Sequence, residues 1–265
     1  MKTMAFIGTG NMAGAILRAV CRQTEPSEIC IYNRTEKKAQ LLAEECGCVV
    51  SQSAAAAAAN AKYVVVGVKP YDIANVLREL APTLTEDQII VSMAAGVTGA
   101  EIAAALGKNL RTVRILPNTP CAISKGVMLI APCGNVEEEI VQELADLFSG
   151  CGLVGFTDET HADAAMGIEG CTPAFAYMFI EALADGAVLT GIKRPDAMKW
   201  AAQAVLGAAA MVLQTGKHPG QLKDEVCSPG GTTIEGVKAL EEHGFRGAVM
   251  DAVVSAWKKN SILVK

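Results

Sequence analysis

In the first half of the chain, short continuous apolar runs alternate with stretches of helical period. Met4–Ile7, Ile29–Tyr32, Tyr63–Val68, Gln88–Ser92 and Thr112–Leu116 read as buried strands. Between them Ala15–Cys21, Ala54–Ala59, Ile73–Leu80 and Gly99–Leu106 read as helices. An unbroken apolar run suits a strand covered on both faces, so the alternation predicts an α/β fold with a doubly wound, mostly parallel sheet. Val127–Ala131 and Leu153–Phe156 are expected to finish that sheet as edge strands. From about Asp158 the period turns helical: Ala162–Leu189, Arg194–Gln214, Pro219–Val226, Thr232–His243 and Arg246–Lys259. The expected organisation is therefore an α/β domain over 1–157 and an all-helical domain over 158–265, with no low-complexity linker or clear repeat.

The turn after the first strand carries candidate chemistry. Ile7-Gly8-Thr9-Gly10-Asn11-Met12-Ala13 places Gly-x-Gly-x-x-Ala between strand and helix, the Rossmann arrangement for a dinucleotide. Gly8 allows the tight turn, Gly10 lets a pyrophosphate reach the backbone, and Ala13 permits close helix packing while the helix start faces the phosphates. At the end of the second strand, Asn33-Arg34-Thr35 stands where an NAD site would place a carboxylate on the ribose. Arg34 instead offers a planar cation to a 2′-phosphate, with Asn33 and Thr35 as neutral donors. NADPH is thus the expected cofactor, with NADH possible. The loops at later strand ends, Gly67-Val68-Lys69-Pro70, Met93-Ala94-Ala95 and Arg114–Pro120, belong to the same crevice. Lys69 has a rival role as a surface cation, Arg114 as a solvated strand residue, and Asn118 as a cap of its own turn.

Composition narrows the class. The 265 residues are 51% hydrophobic and 19% charged, enough for one large core or two smaller ones. A net charge of −5 without a Lys/Arg-rich run argues against nucleic acid or an anionic membrane as partner. Nine scattered cysteines without paired zinc spacing read as free thiols in a reducing cytoplasm, and with three histidines no metal site is expected. The N-terminus opens on a strand, not on a secretory signal, and the longest apolar stretch, around Ala201–Leu213, is too short to cross a bilayer.

The most specific stretch is Cys227-Ser228-Pro229-Gly230-Gly231-Thr232-Thr233, leading into a helix. Two glycines admit a ligand to the backbone, the helix start favours a carboxylate or phosphate, and Thr232 and Thr233 can cap the helix and donate to the same anion. With Leu222-Lys223-Asp224 before it and Gly236 and Leu240 after it, this segment resembles the signature of pyrroline-5-carboxylate reductases. The resemblance implies NAD(P)H-dependent reduction of a cyclic imine, pyrroline-5-carboxylate, to proline. It also implies carboxylate binding by Gly231, Thr232 and Thr233, with Thr233 at the ring nitrogen, and Glu159 near the product. It further implies an intertwined homodimer, or a higher homo-oligomer, in which the substrate loop of one subunit faces the nicotinamide held by the other. Many small residues in the helical half, such as Gly186, Ala187, Gly207 and Ala208, suit closely apposed helices between copies. Two departures stand out. The family's Ser-Gly-Ser-Gly-Pro-Ala reads Glu169-Gly170-Cys171-Thr172-Pro173-Ala174, and Ala54 replaces a cofactor-binding asparagine of some relatives. Two rivals share the sheet: a hydroxy-acid dehydrogenase, which would need a catalytic lysine, and a non-catalytic NADP-binding regulator.

Overall fold

The computed structural model describes residues 2–263. Residues 1, 264 and 265, the outer ends of the two expected domains, lie outside the described residues. The chain divides into two compact units, one of residues 1–171 with 256–265 and one of residues 172–255. The helix over 159–169 therefore belongs to the first unit, although helical periodicity begins with it.

The first unit is built on an eight-stranded sheet in the order β3-β2-β1-β4-β5-β6-β7-β8. Its strands are β1 (Lys2–Ile7), β2 (Ile29–Tyr32), β3 (Val49–Val50), β4 (Ala61–Val66), β5 (Ile89–Ser92), β6 (Thr112–Pro117), β7 (Gly126–Cys133) and β8 (Gly152–Phe156). All neighbours pair in parallel except β6 and β7. The expectation of two edge strands holds for β8, whereas β7 is internal. The other edge is the two-residue β3, too short to show a period.

Helices α1 (Asn11–Val20), α2 (Glu36–Cys46), α3 (Ala54–Ala58), α4 (Ile73–Leu80), α5 (Gly99–Leu106) and α6 (Glu138–Phe148) cover the sheet. α6 was not anticipated from the sequence. It buries Ile140, Leu144, Ala145, Leu147 and Phe148 on one face and exposes glutamates on the other. Two apolar layers result. Met4, Phe6, Ile29, Ile31, Tyr63 and Val65 point to one side of the sheet with Ile16 and Leu17 of α1, while Ala5, Ile7, Val64 and Val66 point to the other with Leu77 and Leu80 of α4. Burial of strand residues on both faces is why these strands read as unbroken apolar runs.

The expected continuous helix from Ala162 is interrupted. α7 (Glu159–Glu169) ends at Gly170, and α8 (Thr172–Leu189) begins after Cys171. By length and hydropathy this whole run, Glu159–Leu189, could cross a membrane, which corrects the choice of Ala201–Leu213 as the longest apolar stretch; the break at 170–171 divides it. The second unit continues with α9 (Arg194–Thr215), α10 (Pro219–Val226), α11 (Thr232–Glu242) and most of α12 (Phe245–Leu263). In α8 and α9, Ala184, Ala197 and Ala201 are buried in a small cluster, and Tyr177, Met178, Trp200 and Leu206 are exposed.

Candidate active site

The carboxyl ends of the parallel strands open on a cleft of about 1030 Å³. All the residues expected to hold a cofactor line it except Thr9 and Ala94, which are buried just behind its wall. The cleft depends on two loops in backbone contact. Gly8 has φ +90°, and a Cβ there would stand 2.8 Å from Val68 Cγ1 and 3.0 Å from the Gly67 carbonyl oxygen. A Cβ on Gly67 would stand 2.6 Å from the Gly8 oxygen and 2.7 Å from Ala13 Cβ. Gly10 differs: at an ordinary φ of −68° its missing Cβ would meet nothing within 4 Å. No packing demand accounts for that glycine, and it borders the cleft.

The start of α1 is prepared for an anion. Gly10 is its N-cap without a side-chain cap, and the first turn holds no acidic residue, so the free N–H groups face no built-in negative charge. Thr9 keeps its buried hydroxyl without a protein partner. Its N–H donates to Asn33 Oδ1 at 3.1 Å, and Asn33 Nδ2 donates to the Thr35 carbonyl at 3.0 Å. Asn33 therefore ties the glycine turn to the end of β2, a structural duty its place in the sequence did not disclose. The open face at Gly10, the uncapped helix and the orphan hydroxyl fit a dinucleotide.

At the β2 end Arg34 and Thr35 are exposed on the cleft wall, and no carboxylate lies among residues 32–35. Lys38 and the α4 residues Asn75, Val76 and Glu79 also line the cleft. These the sequence reading missed; Lys38, four residues after Arg34, had only its spacing to betray it. Ala54 lines the cleft at the start of α3, whose cap is Ser53 Oγ accepting from the Ala56 N–H. At the opposite end Lys69, Pro70, Met93 and Ala95 are joined by Thr119 and Ala122 from the β6–β7 connection.

Behind that connection lies a buried polar knot. Asn118 is 6% exposed; its Oδ1 accepts from the Val127 N–H at 2.9 Å and its Nδ2 donates to the Glu169 carbonyl at 2.9 Å. It thus joins two segments and does not cap its own turn. Arg114 is also buried, paired with Asp163 Oδ1 of α7 at 2.7 Å, so its role is structural. Glu169, the residue departing from the family pattern, is 6% exposed with Oε2 unpartnered. Burial pushes its carboxyl up to about 8, with Cys121 adding to the effect. Glu159, the first residue of α7, accepts the Gly99 N–H through Oε1 at 2.6 Å. The Cys133 thiol is pushed up to about 12 by burial and by the negative charge of Glu159 beside it.

The loop before α11 belongs to the second unit. Gly230 has φ +66°, the Gly231 N–H donates to the Ser228 carbonyl at 3.0 Å, and a Cβ on Gly231 would fall 2.3 Å from Ser228 Oγ. The N-cap is Gly231, with no side-chain cap. Thr232 and Thr233 are the first two helical residues and do not cap the helix, contrary to the sequence reading. Both are exposed, leaving the N–H groups of the first turn and two hydroxyls for a ligand. Among the described residues no group of acids, histidines and cysteines could hold a metal ion, and none of the nine cysteines is in a disulfide.

Residues 159–263 match the family model described as pyrroline-5-carboxylate reductase dimerisation. Residues 3–96 match the one described as NADP oxidoreductase coenzyme F420-dependent. A pyrroline-5-carboxylate reductase of Escherichia coli K12 is 42% identical over 100% of this chain and 99% of its own length. The chain belongs to the pyrroline-5-carboxylate reductase family. The solved reductase of Coxiella burnetii superposes with a TM-score of 0.94 at 33% identity, covering 100% of this chain and 99% of that one. The Plasmodium falciparum enzyme, solved with NADP bound, gives 0.88 at 27% identity, covering 100% and 98%. Family membership makes the chain a nicotinamide-dependent oxidoreductase of α/β architecture with a helical dimerisation region.

Proposed function

We propose that this reductase converts 1-pyrroline-5-carboxylate to L-proline, the last step of proline biosynthesis, using NADPH in preference to NADH. The observation that carries the substrate assignment is the uncapped start of α11, where free N–H groups and two exposed threonine hydroxyls follow a pair of glycines. An anion with a polar ring atom suits that arrangement, and the substrate carboxylate would be held by the backbone of Gly231, Thr232 and Thr233.

The nicotinamide cofactor, when bound, supplies hydride to C5 of the ring. The chain's own contribution is positioning. Among the residues lining the cleft, the α1 start and Gly10 would hold the pyrophosphate, Arg34 and Thr35 the adenosine ribose phosphate, and Lys69, Pro70, Met93 and Ala95 would border the nicotinamide half. Thr233 hydrogen-bonds the ring nitrogen. A threonine hydroxyl is a weak acid, so it either orients an imine already protonated or relays to the neutral imine a proton from water. Glu159, its carboxylate already engaged by Gly99, serves the substrate region by positioning.

Division of labour follows the sequence: cofactor binding in 1–157, substrate binding and association in 158–265. The active species is a homodimer, or a higher homo-oligomer built from it, in a cytoplasm that keeps the nine thiols reduced. Purified protein tested for NADPH oxidation with pyrroline-5-carboxylate and for NADP reduction with a panel of hydroxy acids decides the matter. Turnover with the imine alone supports the proposal; turnover only with hydroxy acids, or cofactor binding without turnover, removes it.

A further inference from the structure

Arg34 faces a chemical deficit if it acts alone. A ribose 2′-phosphate carries a charge of about −1.5 to −2 at neutral pH, whereas one guanidinium brings a single positive charge. The wall of the cleft holds a second cation. Lys38 lies in the first turn of α2, its N–H donating to the Thr35 carbonyl at 3.0 Å, and its side chain borders the same space as Arg34 and Thr35. The end of β2, where these residues cluster, is where a doubly wound sheet receives the adenosine ribose.

Neither cation is neutralised from within. Among the described residues Arg34 and Lys38 make no ion pair and no side-chain hydrogen bond, while Arg18, Lys62, Arg111 and Arg114 of the same unit are all paired with carboxylates. The carboxylate nearest in sequence, Glu36, is engaged by Gln40 Nε2. Asp72 and Glu79, the acids that also border the cleft, pair with neither cation. Thr35, the N-cap of α2, leaves its hydroxyl uncommitted as a cap.

We propose that Lys38 is the second cation of the 2′-phosphate subsite, and that Arg34 and Lys38 together set the preference for NADPH. This rests on the NADPH reading above and adds to it the residue that completes charge balance. The guanidinium grips two phosphate oxygens in a plane; the ammonium supplies a point charge from the helix side.

Direct binding tests this without turnover. Dissociation constants for NADPH and NADH are measured by nucleotide fluorescence titration for wild type, Lys38→Gln, Lys38→Arg and Arg34→Ala. Gln suits an exposed helix position, and the Lys38 backbone bond is kept. Lys38→Gln should weaken NADPH about tenfold, the low end for a charge-assisted contact at an exposed site, and leave NADH within about twofold. Lys38→Arg should retain most of the NADPH affinity, and the discrimination should shrink at high salt in wild type more than in Lys38→Gln. Unchanged NADPH affinity, or equal losses for both nucleotides, overturns the role of Lys38. If Arg34→Ala changes the NADPH to NADH ratio but Lys38→Gln does not, only the present inference fails. If neither variant changes it, the NADPH reading fails as well.

Discussion

Glu169 offers the sharpest quantitative test, because a carboxyl with one unpartnered oxygen is buried there. Its folded-state affinity for the proton is raised, to about 8, mainly by burial. The sign follows from linkage. The unfolded chain releases this proton in the ordinary carboxylate range, while the folded chain holds it until about pH 8. Stability from this group is therefore complete below about pH 4, falls as pH rises and levels off above about pH 8. Each tenfold change in proton affinity is worth about 1.4 kcal/mol, so the full loss is at most roughly 5 kcal/mol, most of it incurred by pH 7.

Glu169→Gln keeps the shape and removes the titration. The added amide N–H groups need partners and cost about 1–3 kcal/mol at every pH if they find none, so absolute stability is a poor test and the slope is the informative quantity. Urea unfolding at fixed protein concentration from pH 5 to 9 should show wild type losing roughly 4 kcal/mol more than the variant across that window. Parallel curves would mean that Glu169 ionises normally in the folded protein, and the burial account would be wrong.

Other expectations follow from the same geometry. Arg34→Ala should raise the Michaelis constant for NADPH roughly 10- to 100-fold and that for NADH little, since one charge-assisted contact is worth about 1.5–3 kcal/mol; equal losses refute the phosphate contact. Thr233→Ala removes an exposed hydroxyl, so turnover should drop at least about tenfold while NADPH binding and the melting temperature stay put; wild-type turnover would take Thr233 out of the mechanism. Glu159→Ala strands the Gly99 N–H and should cost about 1–3 kcal/mol, which Glu159→Gln largely avoids by retaining an acceptor; equal unfolding midpoints for both would dispose of that bond. If active sites are shared between subunits, co-refolding inactive Gly10→Asp with inactive Thr233→Ala should recover about a quarter of wild-type activity, half the dimers being mixed with one intact site each; confirmed heterodimers without activity would refute sharing.

The sequence revealed most where a single physical demand governs a stretch. Strands covered on both faces must be apolar throughout, so β1, β2, β4, β5 and β6 were legible to within a residue or two at their ends, as were α4 and α5. α6 was missed because its glutamate-rich face reads as solvent-facing polarity unless the buried Ile140, Leu144 and Phe148 are counted at helical spacing. The break between α7 and α8 was missed because Gly170 and Cys171 sit within an apolar run whose period barely changes. Asn33, Arg114 and Asn118 have roles set by partners 9 to 51 residues away, Thr9, Asp163, Val127 and Glu169, which no local pattern encodes.

The glycine motif at the first turn contains two separate instructions, and only the structure parts them. Gly8 is demanded by the protein, since its left-handed backbone and the closeness of Val68 forbid a side chain, and Gly67 answers it from the neighbouring strand. These two glycines let the first and fourth strands end in contact, and their loss would deform the loop before any ligand arrives. Gly10 is demanded by nothing in the protein, because its backbone is ordinary and the space beside it is empty of protein atoms. A carboxylate placed there should leave the fold intact and repel a pyrophosphate, which is why Gly10→Asp separates binding from folding while a substitution at Gly8 or Gly67 would confound them. A residue kept small where nothing crowds it marks where a ligand comes close, and here that residue borders the cleft that also holds Arg34 and Lys38.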